Sequence, residues 1–185
     1  MNKKENQRIR LTKTLLKNSL IDLMRTSPIN KITIREICGQ AGINRSTFYL
    51  YYTDSYALLE EIEGELLAHA RERLERLDSN MDNRHDLQEL LSYIKEHADI
   101  FKTLLCRQDN LSFQLKFIDS SIKNLRLNVA LECSEHISDY VYGFLTAGCL
   151  SIITKWISAD FDMDSKALSE IIIRLSAGAA SSYSS

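Results

Sequence analysis

A polar run around residue 45 carries the side chains best suited to contacting a nucleic acid. Asn44-Arg45-Ser46-Thr47 offers hydrogen-bonding groups on four successive residues. The Arg45 guanidinium could make two parallel hydrogen bonds to guanine, and Thr47 could pack its methyl group on thymine or donate to a phosphate. Tyr49 is expected on the same outward face, within reach of a sugar-phosphate chain. Contacts to base edges would read sequence, whereas contacts to the backbone would fix register.

Residues near this polar run could bind phosphates or could only pack in the protein core. The free amides at the start of a helix favour an anion, so Thr33 and the turn that follows it could bind a phosphate. Arg35, in that turn, could contact the same phosphate chain or make only an exposed ion pair. Tyr51 could either pack inward or contact a phosphate, whereas Phe48 and Tyr52 are predicted to pack inward.

Sequence signals for helix ends surround these residues. Thr33 and Glu36 have the spacing of a capping box, in which each residue caps the other at the start of a helix. Gly42 can adopt the left-handed conformation that ends this helix, and Asn44 can cap a third helix that runs to about Tyr51. Two short helices joined by a sharp turn make a helix-turn-helix, whose second helix presents its N-terminal end to the major groove.

Apolar residues recur with helical spacing along almost the whole chain. A first helix is predicted over about residues 8–26, because Ser27-Pro28 disfavours the α region. After a cap at Asp54, further helices are predicted at about 55–77, 84–96, 98–107, 110–128, 134–159 and 164–178. One proline and six glycines leave little material for the turns of an all-β fold. The predicted fold class is all-α, with an N-terminal helix-turn-helix domain over residues 1–54 and a C-terminal helical bundle over residues 55–185.

Charge is distributed unevenly along the chain. Residues 1–56 carry ten basic and four acidic side chains, whereas residues 57–185 carry 13 basic and 21 acidic ones. A basic end attached to an acidic remainder suggests a footprint for a polyanion, although clustering on a solvated face is the alternative. The side chains expected to contact phosphates from an N-terminal arm are Lys3, Lys4, Arg8 and Arg10.

Several classes of function are disfavoured by the sequence. It contains no GxSxG, P-loop, GxGxxG or HExxH motif, and Cys133 and His136 have no second pair to complete a metal site. We therefore expect no catalysis, no metal and no cofactor. No stretch approaches the ~20 apolar residues of a membrane span, and the polar N-terminus is unlike a secretory signal. Four scattered cysteines without a CxxC pair are typical of reduced thiols, so the chain is expected in the cytoplasm.

The segment from Ile32 to Tyr52 resembles the DNA-binding domain of TetR/AcrR-family transcriptional regulators. It has the family's Thr-capped helix, its Ala-Gly-aliphatic turn at residues 41–43 and its Thr-aromatic-Tyr helix at residues 47–49. With Asn44-Arg45 before that helix, it is similar to one subgroup of the family. The similarity to this subgroup extends to residues 93–117 and 140–156.

Two places depart from the family's pattern. Tyr51-Tyr52 stands where the family commonly has His-Phe, and Thr53 and Ser55 stand where it commonly has lysines. The family's lysine neutralises a phosphate, so fewer phosphate contacts are expected from this corner and more from the N-terminal arm. Each lost contact should flatten the log–log dependence of affinity on salt by ~0.9.

The resemblance implies a homodimeric transcriptional regulator that occupies palindromic double-stranded DNA and is controlled by an effector in its C-terminal domain. The effector could be a small molecule or a protein co-regulator, and the outcome could be repression or activation. The alternative is a helix-turn-helix module whose main partner is a protein rather than DNA. A membrane partner is not expected.

By the same resemblance, the C-terminal domain holds a dimer interface and a ligand pocket. Residues 137–157 are apolar nearly all round, so this helix must be buried on more than one side. The residues expected at the interface, with the protein's own core as the alternative, are Gly143, Ala147, Leu150, Ser151, Ile171 and Leu175. The residues that could line a pocket, with ordinary core packing as the alternative, are Tyr93, Phe101, Leu104, Leu105, Phe113, Phe117, Tyr140 and Phe144.

Overall fold

The computed structural model describes residues 3–75, 83–106, 111–119 and 135–182. In these ranges the chain forms α1 (Lys3–Met24), α2 (Ile34–Ala41), α3 (Arg45–Tyr49), α4 (Ser55–Glu75), α5 (Asn83–Glu96), α6 (Ala98–Leu105), α7 (Leu111–Phe117), α8 (Glu135–Ser158) and α9 (Ser165–Ser181). No strand occurs among the described residues, which confirms the all-α prediction. The part of the predicted 110–128 helix beyond residue 119, and Cys133, lie outside the described residues.

Several helix bounds differ from the prediction by two or more residues, and two of them bear on the candidate site. α1 begins at Lys3 rather than at about residue 8, so the N-terminal arm is the first turns of a helix and not an extended segment. Its residues are good helix formers, and Glu5 in the first turn complements the helix dipole. α3 ends at Tyr49 rather than at about Tyr51. It ends early because the N–H groups of Leu50 and Tyr51 bond three residues back, which tightens the last turn.

The chain divides into two compact units. The N-terminal unit is Met1–Leu66 and the C-terminal unit is Leu67–Ser185, so the division lies inside α4. The functional boundary predicted between residues 54 and 55 stays a prediction.

In the N-terminal unit, α1 packs on α2 and α2 packs on α3. The apolar stripe predicted for α1 is buried at Leu16, Leu20 and Met24. Phe48 from α3 and Leu58 from α4 are fully buried in the same unit. Burying side chains of this size stabilises the fold by about 1.5–3 kcal/mol each. Because α3 is short, its stability comes mainly from the packing of its buried side chain.

In the C-terminal unit, α5 packs on α9, and α8 packs on both α6 and α9. Trp156 of α8 is buried, and its indole N–H donates to the carbonyl oxygen of Met163 at 2.9 Å. The Phe161 ring meets the Trp156 ring edge-on, with the centroids 4.7 Å apart. Asp160 and Phe161 have φ values of 51° and 60°. The tryptophan contacts therefore hold the α8–α9 turn in a conformation that non-glycine residues rarely adopt.

α8 buries one side within the unit and exposes the other. Its buried residues are Val141, Leu145, Cys149, Ile153, Trp156 and Ile157. Tyr140 and Phe144 are 71% and 70% exposed, so the expected burial on more than one side is not present within a single chain. By length and composition, the segment His136–Ser158 could cross a membrane. The core helix of a soluble protein passes the same test, and Asp139 and Lys155 lie within this segment.

Candidate nucleic-acid interface

The capping box at the start of α2 is present with both of its hydrogen bonds, as predicted. The Glu36 N–H donates to Thr33 Oγ1 at 3.3 Å, and the Thr33 N–H donates to Glu36 Oε2 at 2.8 Å. The Thr33 hydroxyl also donates to that carboxylate oxygen at 2.7 Å. The backbone bond from Thr33, and then the hydroxyl bond, lower the pKa of Glu36. The Thr33 hydroxyl is thus engaged in capping, and its phosphate contact stays a prediction.

Two residues set the turn between α2 and α3. Gly42 has φ 65° and ψ 28°, which is the left-handed conformation predicted to end α2. Asn44 Oδ1 accepts hydrogen bonds from the N–H and the hydroxyl of Ser46, both at 3.1 Å. Asn44 is therefore the predicted cap of α3. Together these residues fix the direction in which α3 leaves the turn.

Aromatic packing anchors α3 to the N-terminal unit. Phe48 is fully buried and Tyr52 is 4% exposed, as predicted for both. The centroid of the Phe48 ring lies 5.7 Å from that of Tyr49, edge-on, and 5.5 Å from that of Tyr52. With Phe48 pointing inward, the opposite side of α3 is turned to the solvent.

The residues on and beside α3 that are predicted to contact DNA are mainly exposed. Asn44, Arg45 and Ser46 are exposed, Tyr49 is 52% exposed, and Thr47 is half-buried. Elsewhere in the N-terminal unit, the exposed residues from the predicted set are Arg8, Arg10, Thr33 and Arg35. The side chains of Lys3 and Lys4 lie outside the described residues.

Leu50 extends this outward face and is not among the residues predicted from the sequence. Its side chain is 76% exposed. It follows Ser46 by four residues, which is the spacing that places side chains on one side of a helix. The sequence contains this spacing, but leucine is a residue type that is normally assigned to the core.

An ion-pair network joins α1 to α4 in the N-terminal unit. Lys13 Nζ lies 3.0 Å from Glu61 Oε2, and Lys17 Nζ lies 2.7 Å from Glu61 Oε1. Lys17 Nζ also lies 2.6 Å from Glu65 Oε1. Burial opposes the charged forms, but the hydrogen bonds within the network still raise the pKa of Lys17 and lower the pKa of Glu61. The network therefore stabilises the packing of α1 against α4.

Lys13 connects this network to the tyrosine pair that follows α3. Its Nζ lies 5.3 Å from the ring centroid of Tyr52 and 5.9 Å from that of Tyr51, within the range of cation–π attraction. Burial, and then the charge of Glu61, raise the pKa of the Tyr52 hydroxyl, which makes no hydrogen bond of normal geometry. Tyr51 is half-buried beside these groups, so it is positioned by the network whether or not it contacts a phosphate.

Thr53 and Ser55, the two positions near the start of α4 at which the family commonly has lysine, differ in exposure. Asp54 Oδ1 accepts the Ala57 N–H at 2.8 Å, which confirms Asp54 as the cap. Ser55 is 8% exposed, whereas Thr53 is exposed. A lysine at residue 55 would bring its charge into a buried position, which is costly. A phosphate contact at this corner could therefore be restored at Thr53 but not at Ser55.

Six of the eight residues predicted to line a pocket pack together in the C-terminal unit, and the other two lie apart from them. The six are at most 3% exposed and pack as core: Tyr93, Phe101, Leu104, Leu105, Phe113 and Phe117. The Phe101 ring centroid lies 5.8 Å from that of Tyr93 and 5.9 Å from that of Phe117. Tyr140 and Phe144 lie on the exposed side of α8. α8 thus turns these two side chains away from the aromatic cluster, and their part in a pocket stays a prediction.

A groove opens instead along α6, α7 and α8. It has a cavity volume of about 530 Å³ and shares only Leu105 with the predicted pocket. Its other lining residues are Cys106, Gln114, Ile118, Ala147, Leu150, Ser151, Thr154, Lys155 and Ser158. The Gln114 amide donates to the Leu105 carbonyl oxygen at 2.7 Å. Half of the lining residues are polar or charged, so the groove is more polar than the usual small-molecule site.

The residues predicted at a dimer interface lie mainly on the surface of the C-terminal unit. Ile171 and Leu175 of α9 are 41% and 59% exposed. On α8, Gly143, Ala147 and Ser151 are exposed and Leu150 is half-buried. We call these residues, together with Tyr140 and Phe144, the α8–α9 surface.

Comparison with known proteins identifies the family. Residues 82–178, which are more than half of the chain, match a TetR-type family model described as "Transcriptional regulator C-terminal region". The chain belongs to the TetR family of transcriptional regulators. The subgroup suggested by the residues of α3 stays a prediction.

Relatives of this TetR-family chain extend over both units. The HTH-type transcriptional regulator YxbF of Bacillus subtilis is 25% identical in an alignment of 167 residues that covers 86% of this chain and 43% of YxbF. The chain thus spans less than half the length of this curated relative. A TetR regulator from Streptococcus agalactiae superposes with a TM-score of 0.71 at 22% identity, covering 93% of this chain and 97% of that one. The dihydroxyacetone kinase operon activator DhaS superposes with a TM-score of 0.57 at 19% identity, with the same coverage. The two structures show that the fold is shared.

Replacing Glu61 with glutamine tests the network of this TetR-family chain. Pairing lowers the Glu61 pKa below the ordinary value of 4.5, so the unfolded state binds a proton more readily than the folded state. The stabilisation is therefore complete above that value and is lost as the pH falls through the lowered pKa. Because the pairs are partly exposed, we expect Glu61→Gln to reduce the free energy of unfolding near neutral pH by about 0.5–1 kcal/mol. Urea unfolding from about pH 7 to 3.5 measures this.

Glu60→Gln is the control, because it removes the same charge from an exposed position on α4. We expect the difference in stability between the two variants to shrink toward acid pH, where the Glu61 carboxylate is protonated in the native protein as well. A constant difference across this range, or equal stabilities at neutral pH, would show that the network adds no pH-dependent stability.

Proposed function

We propose that this chain is a sequence-specific regulator that binds double-stranded DNA as a homodimer on a palindromic operator and responds to an effector in its C-terminal unit. The outward face of α3 carries the proposal. Phe48 and Tyr52 anchor the helix, and Arg45 and Ser46 are exposed beside its capped end. This is how a recognition helix presents side chains to base edges.

The roles of the side chains follow from their chemistry. Arg45 can donate two hydrogen bonds to guanine O6 and N7, while Asn44, Ser46 and Thr47 offer smaller polar groups. The residues proposed to contact phosphates and sugars are Lys3, Lys4, Arg8, Thr33, Arg35, Tyr49 and Tyr51. The excess of basic residues over residues 1–56 favours DNA as the partner of this unit.

The α8–α9 surface supports the homodimer. Large exposed apolar patches mark interaction sites on soluble domains, and Tyr140, Phe144 and Leu175 are each more than half exposed. Exposed small residues at Gly143 and Ala147 would allow a partner helix to approach closely. A symmetric dimer would present two α3 helices about one DNA turn (~34–36 Å) apart, or a multiple of it, and so favours a palindrome.

The groove along α6, α7 and α8 is the proposed place for an effector. Its volume suits a small molecule, and Lys155 in its lining could pair with an acidic group. Ala147, Leu150 and Ser151 belong both to this groove and to the predicted interface. An effector that binds one arrangement of the dimer better than another would favour that arrangement. The difference between its two affinities sets how far the fraction of operator-bound protein can change. A regulator of this kind acts in the cytoplasm, and either repression or activation fits the mechanism.

Selection of bound duplexes from a random pool, followed by gel shifts at several salt concentrations, tests the proposal. We expect enrichment of a palindrome and a preference for it that persists as salt weakens all binding. Equal retardation of every sequence would indicate that the protein binds DNA by electrostatic attraction alone and does not read sequence. Absence of any retardation would favour the alternative, in which the helix-turn-helix binds a protein.

A further inference from the structure

We propose that Leu50 reads the methyl group of a thymine in each half-site and thereby sets the base preference at one position. The inference rests on the proposed function of α3 as the DNA-reading helix. It concerns a side chain that offers no hydrogen bond, next to the residues whose hydrogen bonds would read the neighbouring bases.

Rotation about the helix axis places Leu50 in the middle of the outward-facing directions, at the C-terminal end of α3. Phe48 is fully buried and marks the inward direction of α3. At about 100° per residue, Ser46 and Leu50 each lie about 20° from the direction opposite Phe48. Leu50 keeps helical backbone angles, with φ −71° and ψ −22°, so this rotation continues through it. Its 76% exposure agrees with that placement.

The chemistry of the major groove indicates which base group a leucine side chain would contact. Among the base-pair edges exposed there, the thymine methyl is the apolar group, and the others are hydrogen-bond donors and acceptors. A leucine side chain gains by covering a methyl group and would leave a polar edge unsatisfied. An apolar side chain on a reading face therefore favours thymine over the other three bases.

The surroundings of Leu50 favour DNA over a protein partner. An apolar docking patch on a protein surface is a contiguous set of apolar side chains. Along α3, the other exposed residues are instead Asn44, Arg45, Ser46 and Tyr49, and the Tyr49 ring, the one large apolar group among them, ends in a hydroxyl group. A single leucine within a polar and cationic face is suited to one apolar contact among hydrogen bonds and phosphate contacts.

Deoxyuridine provides the test, because it pairs with adenine as thymine does but lacks the methyl group. The selected operator is made with deoxyuridine at one thymine position at a time, in both half-sites, and its affinity for the full-length protein and for Leu50→Ala is measured at fixed salt. For the native protein we expect one position whose substitution weakens binding about fourfold per half-site, which corresponds to one buried methyl group. Leu50→Ala should bind the thymine operator more weakly and bind the thymine and deoxyuridine operators equally at that position.

Leu115→Ala is the control, since Leu115 is a 58% exposed leucine on α7 in the C-terminal unit; it should keep the native discrimination. Thermal unfolding should be unchanged in Leu50→Ala because the side chain is exposed. Two results would overturn this inference even if the protein binds its operator. The first is native protein that binds the thymine and deoxyuridine operators equally at every position. The second is a Leu50→Ala protein that still prefers thymine over deoxyuridine as strongly as the native protein does. Native protein that selects no sequence at all would overturn the proposed function, and the inference with it.

Discussion

Alanine in place of Arg45 is expected to weaken binding to the selected operator by about 1–3 kcal/mol, which is about five- to 150-fold in affinity. Arg45 is exposed at the first position of α3, directly after the Asn44 cap. A bidentate contact to guanine is lost entirely when the guanidinium is removed, because alanine supplies neither donor. The preference at one base position should fall at the same time. Gel shifts with operators substituted at each position measure both effects.

Arg25→Ala is the control for the loss of charge. Arg25 is an exposed arginine of the N-terminal unit at the end of α1, and its side chain lies 3.6 Å from Asp22 in an exposed pair. We expect a small loss in affinity that is equal for all sequences. An equal loss for all sequences in Arg45→Ala, with a salt slope reduced by about 0.9, would reassign Arg45 to a phosphate.

The local features of the α2–α3 region could be predicted from sequence because their causes are local. The partners in the capping box are three residues apart, and the left-handed turn needs only a glycine at residue 42. Asn44 and Asp54 cap their helices through hydrogen bonds to residues two and three positions away. Each of these signals is complete within a few residues, so a single sequence contains it.

Features that depend on distant partners could not be predicted in this way. Lys13 and Glu61 are 48 residues apart in the chain, and nothing near either of them indicates the other. The exposure of Tyr140 and Phe144 could not be predicted for a related reason. Apolar residues occur on every side of α8, so periodicity cannot rank its sides, and packing on α6 and α9 decides which side is buried. Leu50 was missed because residue type suggests burial and its exposure depends on the three-dimensional packing of Phe48.

Glutamate in place of Phe144 is expected to separate the dimer and to reduce operator affinity by about 100-fold or more. Phe144 is 70% exposed in the single chain, so the substitution should leave the protomer folded. Tyr140, Phe144, Ala147 and Ser151 follow one another at intervals of three or four residues, and they therefore lie along one side of α8. A carboxylate on that side would be buried without a partner in a dimer, and its counterpart in the second protomer would repel it, which costs several kcal/mol. Sedimentation velocity measures the dimer.

The loss of DNA affinity follows from the loss of the second half-site. Two linked recognition helices bind with an affinity that exceeds that of one by about 10²–10⁴, because the second contact becomes intramolecular. Leu115→Glu, on α7 and outside the α8–α9 surface, introduces the same charge and should leave both the dimer and the operator complex intact. A Phe144→Glu protein that stays dimeric would place the interface elsewhere. A Phe144→Glu protein that is monomeric and still binds the whole operator with native affinity would show that each protomer binds its half-site independently. Linkage between the half-sites would then contribute nothing to affinity.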